Sequence, residues 1–223
     1  MKRIGLIGGL SWESTIPYYK IINEEVNAKM GGFHFPNIIL YSLDLYEIEK
    51  NQTNNNFDKV AAKVLENSKC DYILICSNTI HKMYDKIQKE IKVPIIHITD
   101  ATAEELIKQN IKKVLLIGTK YTMKEDFIKK ILIEKGIEVI VPEENDITII
   151  NDIIFKELCL GNFNQNSKNS IINIINKSKN LGCTGVILGC TELGILIKQE
   201  DIDIKVFDTT VIHAKKGAEL YLK

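Results

Sequence analysis

The fold is decided by two stretches of sequence, DYILICSNT (Asp71–Thr79) and TGVILGCTE (Thr184–Glu192). Each is a short apolar run, rich in isoleucine, leucine or valine, that ends at small polar residues, which is typical of a buried strand. The two stretches align with an offset of 113 residues when Ser77 is matched to Cys190. A second pair, RIGLIGG from residue 3 and KVLLIGT from residue 113, aligns with an offset of 110. Two matches at nearly one offset predict two similar halves.

Helical patterns lie between these apolar runs. Apolar strands that alternate with helices are typical of parallel sheets covered on both faces. The sequence therefore predicts an α/β fold with two similar domains, each a parallel sheet flanked by helices, and an active-site cleft between them. We expect residues 1–98 plus 209–223 to form an N-terminal domain with a returning C-terminal helix, and residues 99–208 to form the second. The helical patterns are Thr15–Met30, Phe57–Lys69, Lys124–Lys135 and Ser167–Leu181.

Composition restricts the kind of partner and the compartment. The 223 residues carry 29 basic and 29 acidic side chains, so the formal net charge is zero. That balance argues against nucleic acid or an anionic membrane surface as the main partner. The five cysteines form no CxxC pair, which makes a zinc site or a disulfide framework an unfavourable interpretation. Neither a signal peptide nor an apolar run of transmembrane length is visible, and we expect a cytoplasmic protein.

Cys190 is the cysteine whose position suggests chemistry. It follows an apolar run and precedes a predicted helix, where backbone N–H groups and the helix dipole would lower the pKa of the thiol. Such a thiolate serves as a nucleophile or as a general base. For Cys70, Cys159 and Cys183 we prefer the alternative of a packed core cysteine. Cys76 should point to the opposite side of its strand from Ser77 and pack inside.

Ser77, Asn78 and Thr79 form the matching polar turn in the first half. Hydroxyl, amide and backbone N–H groups after a strand are suited to binding a carboxylate. Ordinary helix capping is the alternative explanation of these residue types. The glycines of IGLIGG have the spacing GxxGG rather than GxGxxG, so we interpret them as permitting close approach to a small anionic ligand. His34, His97 and His213 show no metal spacing, and we expect structural or surface roles and no metal site.

The sequence resembles the aspartate/glutamate racemase family, in particular a branch that opens with GLIGGMSWEST. The matching stretches occur in order along nearly the whole chain. They are GLIGGLSWEST, YSLDLYEIE, CSNTIHK, IHITDAT, GTKYTM, IIFKELCLGNF, GCTELG and VFDTTVIHA.

This resemblance implies an amino-acid racemase that needs no cofactor, in which two α/β domains close on an acidic amino acid. One residue removes the α-proton, and another returns a proton to the opposite face. The family often uses two cysteines; Cys190 matches the second, and Ser77 occupies the place of the first. We therefore predict Cys190 and Ser77 as the catalytic residues. A serine hydroxyl is far less acidic than a thiol, so we expect unequal handling of the two enantiomers.

The substrate contacts also follow from the resemblance. Asn78, Thr79 and Thr191 match contacts to the substrate carboxylate and amino group, and Leu10, with the glycine turn, is expected to line the floor of the site. Aspartate-selective relatives carry an arginine and a lysine near the positions of Ile48 and Cys159, neither of which pairs with a carboxylate. Gln52 is predicted to substitute as a neutral donor, and Lys156 is a second candidate.

Two other functions stay open on the sequence alone. A decarboxylase or a maleate-type cis–trans isomerase needs a single thiol, and Cys190 supplies one. A catalytically silent amino-acid-binding protein is the other alternative, because Ser77 stands where many relatives have a cysteine. Relatives are commonly dimers, and on that ground alone we expect a homodimer.

Overall fold

The computed structural model describes residues 2–44, 46 and 57–223. As far as residue 96, its regular elements are β1 (Arg3–Gly8), α1 (Trp12–Met30), β2 (Asn37–Ser42), α2 (Phe57–Asn67), β3 (Tyr72–Ile75), a 3-10 helix (Thr79–Met83), α3 (Tyr84–Gln88) and β4 (Ile95–Ile96). From residue 98 onward they are α4 (Ile98–Lys108), β5 (Lys113–Gly118), α5 (Lys120–Lys124), α6 (Asp126–Glu134), β6 (Glu138–Ile140), α7 (Glu144–Lys156), a 3-10 helix (Leu158–Leu160), α8 (Gln165–Lys179), β7 (Gly185–Gly189), α9 (Leu193–Leu196), a 3-10 helix (Gln199–Asp201), β8 (Lys205–Asp208) and α10 (Thr209–Leu222).

The chain forms two compact units. The first contains Met1–Ile98 and Thr210–Lys223, and the second contains Thr99–Thr209. Each unit has one four-stranded sheet, in the order β2-β1-β3-β4 and β6-β5-β7-β8, and every strand pair is parallel. The two sheets share one topology, which confirms the predicted α/β class and the two similar halves.

Alternation of side chains along the strands builds the core of the first unit. Ile4 and Leu6 of β1 pack on one face of the sheet, with the buried side of α1 and with α10. Ile73 and Ile75 of β3 pack on the other face, with α2 and α3. Successive strand residues point to opposite faces, so both faces need a helical cover. Cys76 is fully buried on the α1 side, as predicted.

The C-terminal helix α10 packs on the first unit through close backbone contacts. The Tyr72 hydroxyl donates to the Gly217 carbonyl at 2.7 Å, and Lys2 Nζ donates to the Leu220 carbonyl at 2.7 Å. A Cβ at Gly217 would lie 2.5 Å from a methyl carbon of Leu74, so a larger residue here would have to displace the Leu74 side chain or the helix.

One face of the second sheet packs on α7 and α8. Leu115, Ile117, Val186 and Leu188 share a buried cluster with isoleucines of both helices. Helix α7 was not among the predicted helices, although its buried isoleucines recur at helical spacing. They are Ile147, Ile150, Ile153 and Ile154. Across residues 2–44, 46 and 57–223, no helix has the length and apolar character needed to cross a membrane.

Candidate active site

The carboxyl ends of β1 and β3 meet at one edge of the first sheet, because the strands are parallel and Ile7 pairs with Ile75. Ser77 and Asn78 follow β3 and are buried, while Thr79 is half-buried and opens the 3-10 helix. Leu10, beyond the end of β1, is half-buried against the cluster that includes α2 and α3. The structure thus brings four of the predicted substrate or catalytic residues to the edge where ligands bind in open α/β sheets.

Hydrogen bonds to backbone carbonyls hold the turn after β3. Ser14 Oγ donates to the Cys76 carbonyl at 3.2 Å, and His81 Nδ1 lies 2.7 Å from the Ser77 carbonyl oxygen. The His81 amide donates to the Asn78 carbonyl at 3.1 Å, which closes the turn. Asn78 stands in the N-cap position of the 3-10 helix, but its side chain makes no capping hydrogen bond. The capping explanation therefore does not account for Asn78.

The glycines of the turn after β1 are also required by packing within the first unit, and the expectation that the turn admits a ligand stays a prediction. A Cβ at Gly8 would collide with the side chain of Thr15, and one at Gly9 would collide with the backbone of Leu43. Gly9 also has φ of +82°, a conformation that L side chains rarely adopt. Its N–H donates to Thr15 Oγ1 at 2.9 Å, so Thr15 already uses this amide.

Three buried histidines lie beneath the Ser77 turn, within the first unit. The ring centroids of His81 and His97 are 4.8 Å apart, and those of His81 and His213 are 5.7 Å apart. Burial lowers the pKa of His81 well below its usual value, and the neighbouring histidines add to the shift. Burial also lowers the pKa of His213 to about 3. The lowered pKa values favour neutral rings for His81 and His213 at physiological pH. His97 and His213 are both buried, which fits a structural role, and His34 is exposed.

Cys190 follows β7 directly at the edge of the second sheet and is 8% exposed. Its Sγ donates to Glu192 Oε2 at 2.9 Å. The Thr191 hydroxyl donates to the same oxygen at 2.7 Å, and Glu192 itself is buried. A thiol, a hydroxyl and a carboxylate therefore form one hydrogen-bonded group in three successive residues.

The expected lowering of the Cys190 pKa is wrong. Burial raises the pKa of this thiol well above its usual value, and the charge of Glu192 raises it further. The helix that follows, α9, has one turn only (Leu193–Leu196), so its dipole offers little compensation. The raised pKa favours the protonated thiol, which donates to Glu192 Oε2.

Of the remaining predicted positions, two lie in the second unit and two lie outside the described residues. Cys159 is half-buried and packs against the cluster that contains Cys190. Lys156 Nζ pairs with Asp152 on the exposed side of α7, at 2.9 Å. Ile48 and Gln52 lie outside the described residues. Within the described parts of the chain, no three His, Cys, Asp or Glu side chains are grouped as a metal site would require.

Two residues of these turns were not assigned a role from the sequence. Glu192 stands two positions after Cys190 in the motif GCTE, and an acid at that spacing is the signal that could have indicated it. His81 stands four positions after Ser77, one helical turn away, which is close enough to reach back to the Ser77 carbonyl. Neither of these two spacings indicates a contact until the geometry of the turns is known.

Comparisons with known proteins agree with this architecture. The family model for Asp/Glu/Hydantoin racemase matches residues 7–217. A candidate Asp/Glu racemase from Yersinia pestis is 44% identical, with 100% of both chains covered and a TM-score of 0.93. An aspartate racemase homologue from Pyrococcus horikoshii OT3 is 43% identical, with 100% of both chains covered and a TM-score of 0.89. The broad specificity amino-acid racemase RacX of Bacillus subtilis is 25% identical over 228 residues, 98% of each chain.

Matches of this extent make the class of protein a racemase, which is an isomerase. The chain belongs to the Asp/Glu/Hydantoin racemase family. The predicted family, fold and enzyme class are therefore confirmed.

Proposed function

We propose that this protein interconverts the L- and D-forms of aspartate or glutamate by removing and returning the α-proton, with Cys190 and Ser77 as the catalytic residues. The observation that carries the proposal is the buried Cys190 thiol, which donates to the Glu192 carboxylate at the end of a parallel strand. The names of the family and of the P. horikoshii and B. subtilis relatives support an amino acid, and an acidic one, as substrate.

Glu192 is proposed to supply the proton acceptor that the Cys190 thiol needs to become a thiolate. A thiol whose pKa is raised by burial is a poor base, because little of it is thiolate at neutral pH. Transfer of the Sγ proton to Glu192 Oε2, 2.9 Å away, creates the thiolate next to the substrate. The thiolate then takes the α-proton, and Glu192 releases its proton to solvent. The resulting thiol beside the Glu192 carboxylate is again the acid that returns a proton on that face.

Ser77 is proposed to serve the opposite face of the α-carbon. Its hydroxyl returns a proton to the carbanion, and solvent restores the hydroxyl. Because a hydroxyl is much less acidic than a thiol, we expect proton transfer at Ser77 to be the slower of the two. The two enantiomers should therefore be processed with different kcat and KM values, although their ratio of kcat/KM is fixed by an equilibrium constant of one.

The proposed substrate contacts are the polar groups at the same strand ends. Asn78 and Thr79 in the first unit, and Thr191 in the second, are proposed to bind the α-carboxylate and amino group. Leu10 contributes an apolar wall, and Gln52 is proposed as the neutral donor to the side-chain carboxylate. N–H and O–H groups aimed at the carboxylate stabilise the charge that develops when the α-proton leaves.

We retain three further predictions as part of the proposal. The reaction is expected to need no cofactor, because both proton transfers use side chains of this chain. A homodimer is expected from the resemblance to dimeric relatives, and a cytoplasmic location from the free cysteines.

The decisive experiment incubates the protein in deuterated water with L- and D-aspartate and L- and D-glutamate. NMR follows α-deuteration, and chiral chromatography follows inversion. We expect α-deuteration with inversion for at least one acid, and loss of both in Cys190→Ala. Cys183→Ala is the matched control, since Cys183 is a buried thiol of the same unit with no predicted role.

Each other outcome rejects the proposal in a different direction. Binding without α-deuteration would indicate an amino-acid-binding protein. Release of carbon dioxide, or conversion of maleate, would indicate a decarboxylase or a cis–trans isomerase that uses the Cys190 thiol. Full activity in Cys190→Ala would remove Cys190 from the mechanism.

A further inference from the structure

His81 makes two backbone hydrogen bonds of opposite polarity with its two ring nitrogens. Nδ1 lies 2.7 Å from the Ser77 carbonyl oxygen, and Nε2 lies 3.2 Å from the Ile98 amide nitrogen. Ile98 is the last residue of the first unit before the chain enters the second. One buried ring therefore joins the Ser77 turn to the segment by which the chain leaves the unit.

These two partners together favour one state of the ring. A carbonyl oxygen accepts, so Nδ1 must carry a hydrogen, and a backbone N–H donates, so Nε2 must be unprotonated. A protonated ring would turn an N–H toward the Ile98 N–H and would lose that contact. The required state is the neutral ring with its hydrogen on Nδ1.

The surroundings keep the ring in that state. His81 is 2% exposed, and the rings of His97 and His213 lie within 6 Å of it, at 4.8 and 5.7 Å between centroids. His213 accepts from the Tyr18 hydroxyl, and Tyr84 packs edge-on against His97. Burial and the two neighbouring histidines lower the pKa of His81.

The contact at Ser77 also orients the next amide. The Ser77 carbonyl and the Asn78 N–H belong to one planar trans peptide, in which they point in opposite directions. Because His81 holds the carbonyl, the Asn78 N–H must point away from the histidine. The same contact restricts rotation of the peptide plane that follows the Ser77 Cα, the atom from which the side chain with its hydroxyl extends.

From these contacts we propose that His81 is a positioning residue for the Ser77 side of the reaction, which orients the Ser77 hydroxyl and the Asn78 amide through the Ser77 carbonyl. This inference rests on the proposed function. A displacement of about 1 Å at a reacting group costs on the order of 10²-fold in rate, so loss of the His81 contact should be visible in turnover.

Two substitutions separate the contacts of the ring. His81→Asn places an amide near the position of Nδ1, which keeps a donor for the Ser77 carbonyl and loses the acceptor for the Ile98 amide. His81→Gln reaches the position of Nε2 instead, so it keeps the Ile98 acceptor and loses the Ser77 contact. His213→Asn is the matched control: it removes another buried ring of the cluster, whose Nε2 donates to the Ile96 carbonyl rather than to Ser77.

We expect His81→Gln to lower the rate of inversion by about 10²-fold, and His81→Asn and His213→Asn to retain most of it. The specific readout is the ratio of α-deuteration to inversion in deuterated water. For the enantiomer that Cys190 deprotonates, His81→Gln should continue to exchange the α-proton while inversion falls. A merely structural defect would lower both by the same factor, which thermal unfolding of each variant would detect separately.

Amide hydrogen exchange by mass spectrometry tests the geometry without catalysis. The peptide that covers residues 76–79 should lose protection in His81→Gln but not in His81→Asn, and the Ile98 amide should show the reverse. Unchanged protection in His81→Gln, or equal loss of inversion in both His81 variants, would overturn the inference. A wild-type protein that exchanges no α-proton would instead reject the proposed function itself.

Discussion

The turn after β3 and the turn after β7 occupy the same position in two sheets of the same topology, yet the residues proposed to transfer protons there have different surroundings. After β3, a neutral histidine holds the backbone of Ser77 through a carbonyl. After β7, a buried carboxylate contacts the Cys190 side chain directly. Burial shifts a pKa at both turns. It lowers the pKa of His81, which favours the neutral ring, and it raises the pKa of Cys190, which favours the protonated thiol.

The difference teaches that a reactive position does not need a shifted pKa in the reactive direction at rest. At Cys190 the pKa is raised, and the proposed reactivity depends on an adjacent proton acceptor. At Ser77 the proposed proton-transfer group is a hydroxyl, and the proposed contribution of the turn is to position it. Substitutions at Ser77 and at Cys190 should therefore have unequal effects.

The largest expected effects come from removing the Ser77 hydroxyl or the Cys190 thiol. Ser77→Ala and Cys190→Ala should both lower inversion by about 10³-fold or more, because each deletes a proton-transfer group. Their α-deuteration should differ. Ser77→Ala should continue to exchange the enantiomer that Cys190 deprotonates, whereas Cys190→Ala should exchange neither. Exchange that persists in Cys190→Ala would show that the thiol is not the better base.

Glu192→Gln should separate the two effects of the carboxylate. Turnover should fall by about 10²-fold, because the thiol loses its proton acceptor. The pKa of Cys190 should fall at the same time, since the negative charge that raises it is removed, and burial remains the main cause of the shift. Alkylation of Cys190 by iodoacetamide at neutral pH, followed by mass spectrometry, should become faster. Slower alkylation together with lower turnover would contradict this account.

Ser77→Cys gives the turn after β3 a thiol at the position equivalent to Cys190. A thiol at residue 77 is a better proton donor and acceptor than a hydroxyl, so we expect turnover to be retained or raised by up to about tenfold. The difference in kcat between the two enantiomers should shrink. Initial rates with each pure enantiomer measure this, and Ser77→Thr serves as the control that restores a hydroxyl. A larger difference between the enantiomers would argue against a role for residue 77 in proton transfer.

The smallest predicted effect is a pH dependence of the free energy of unfolding, which arises from histidines of the first unit. His81 and His213 have pKa values lowered from 6.5, that of His213 to about 3. Below about pH 6.5 the unfolded chain therefore binds more protons than the folded chain, and the free energy of unfolding falls as pH falls. Each histidine contributes up to about 1.4 kcal/mol per pH unit, and the slope is half of that at the unfolded pKa.

Urea unfolding between about pH 6.5 and about pH 5, above the range in which most carboxylates titrate, measures this slope. His213→Asn should reduce the slope by the share of one histidine. An equally steep slope in the variant would mean that His213 is already charged in the folded chain. The same variant serves as the control for His81, so its folding is characterised in any case.

Much of the fold was predictable because its signals are local. The apolar runs at Arg3–Gly9 and Tyr72–Cys76 form strands, and their repetition about 110 residues later predicted two sheets of one kind. Motifs at the strand ends were sufficient to predict the family, which the comparisons confirm. The predicted roles of Ser77 and Cys190 remain predictions, because only a reaction can test them.

The sequence by itself determined which residues end the strands, since strand formation depends on apolar runs and turn residues close along the chain. Only the tertiary structure decided the chemical state of those residues. The direction of the Cys190 pKa depends on how deeply the thiol is buried and on the Glu192 carboxylate turned toward it. The position of the hydrogen on the His81 ring depends on the Ile98 amide, a partner 17 residues away. Burial and hydrogen-bond geometry arise from packing, and no local pattern encodes them.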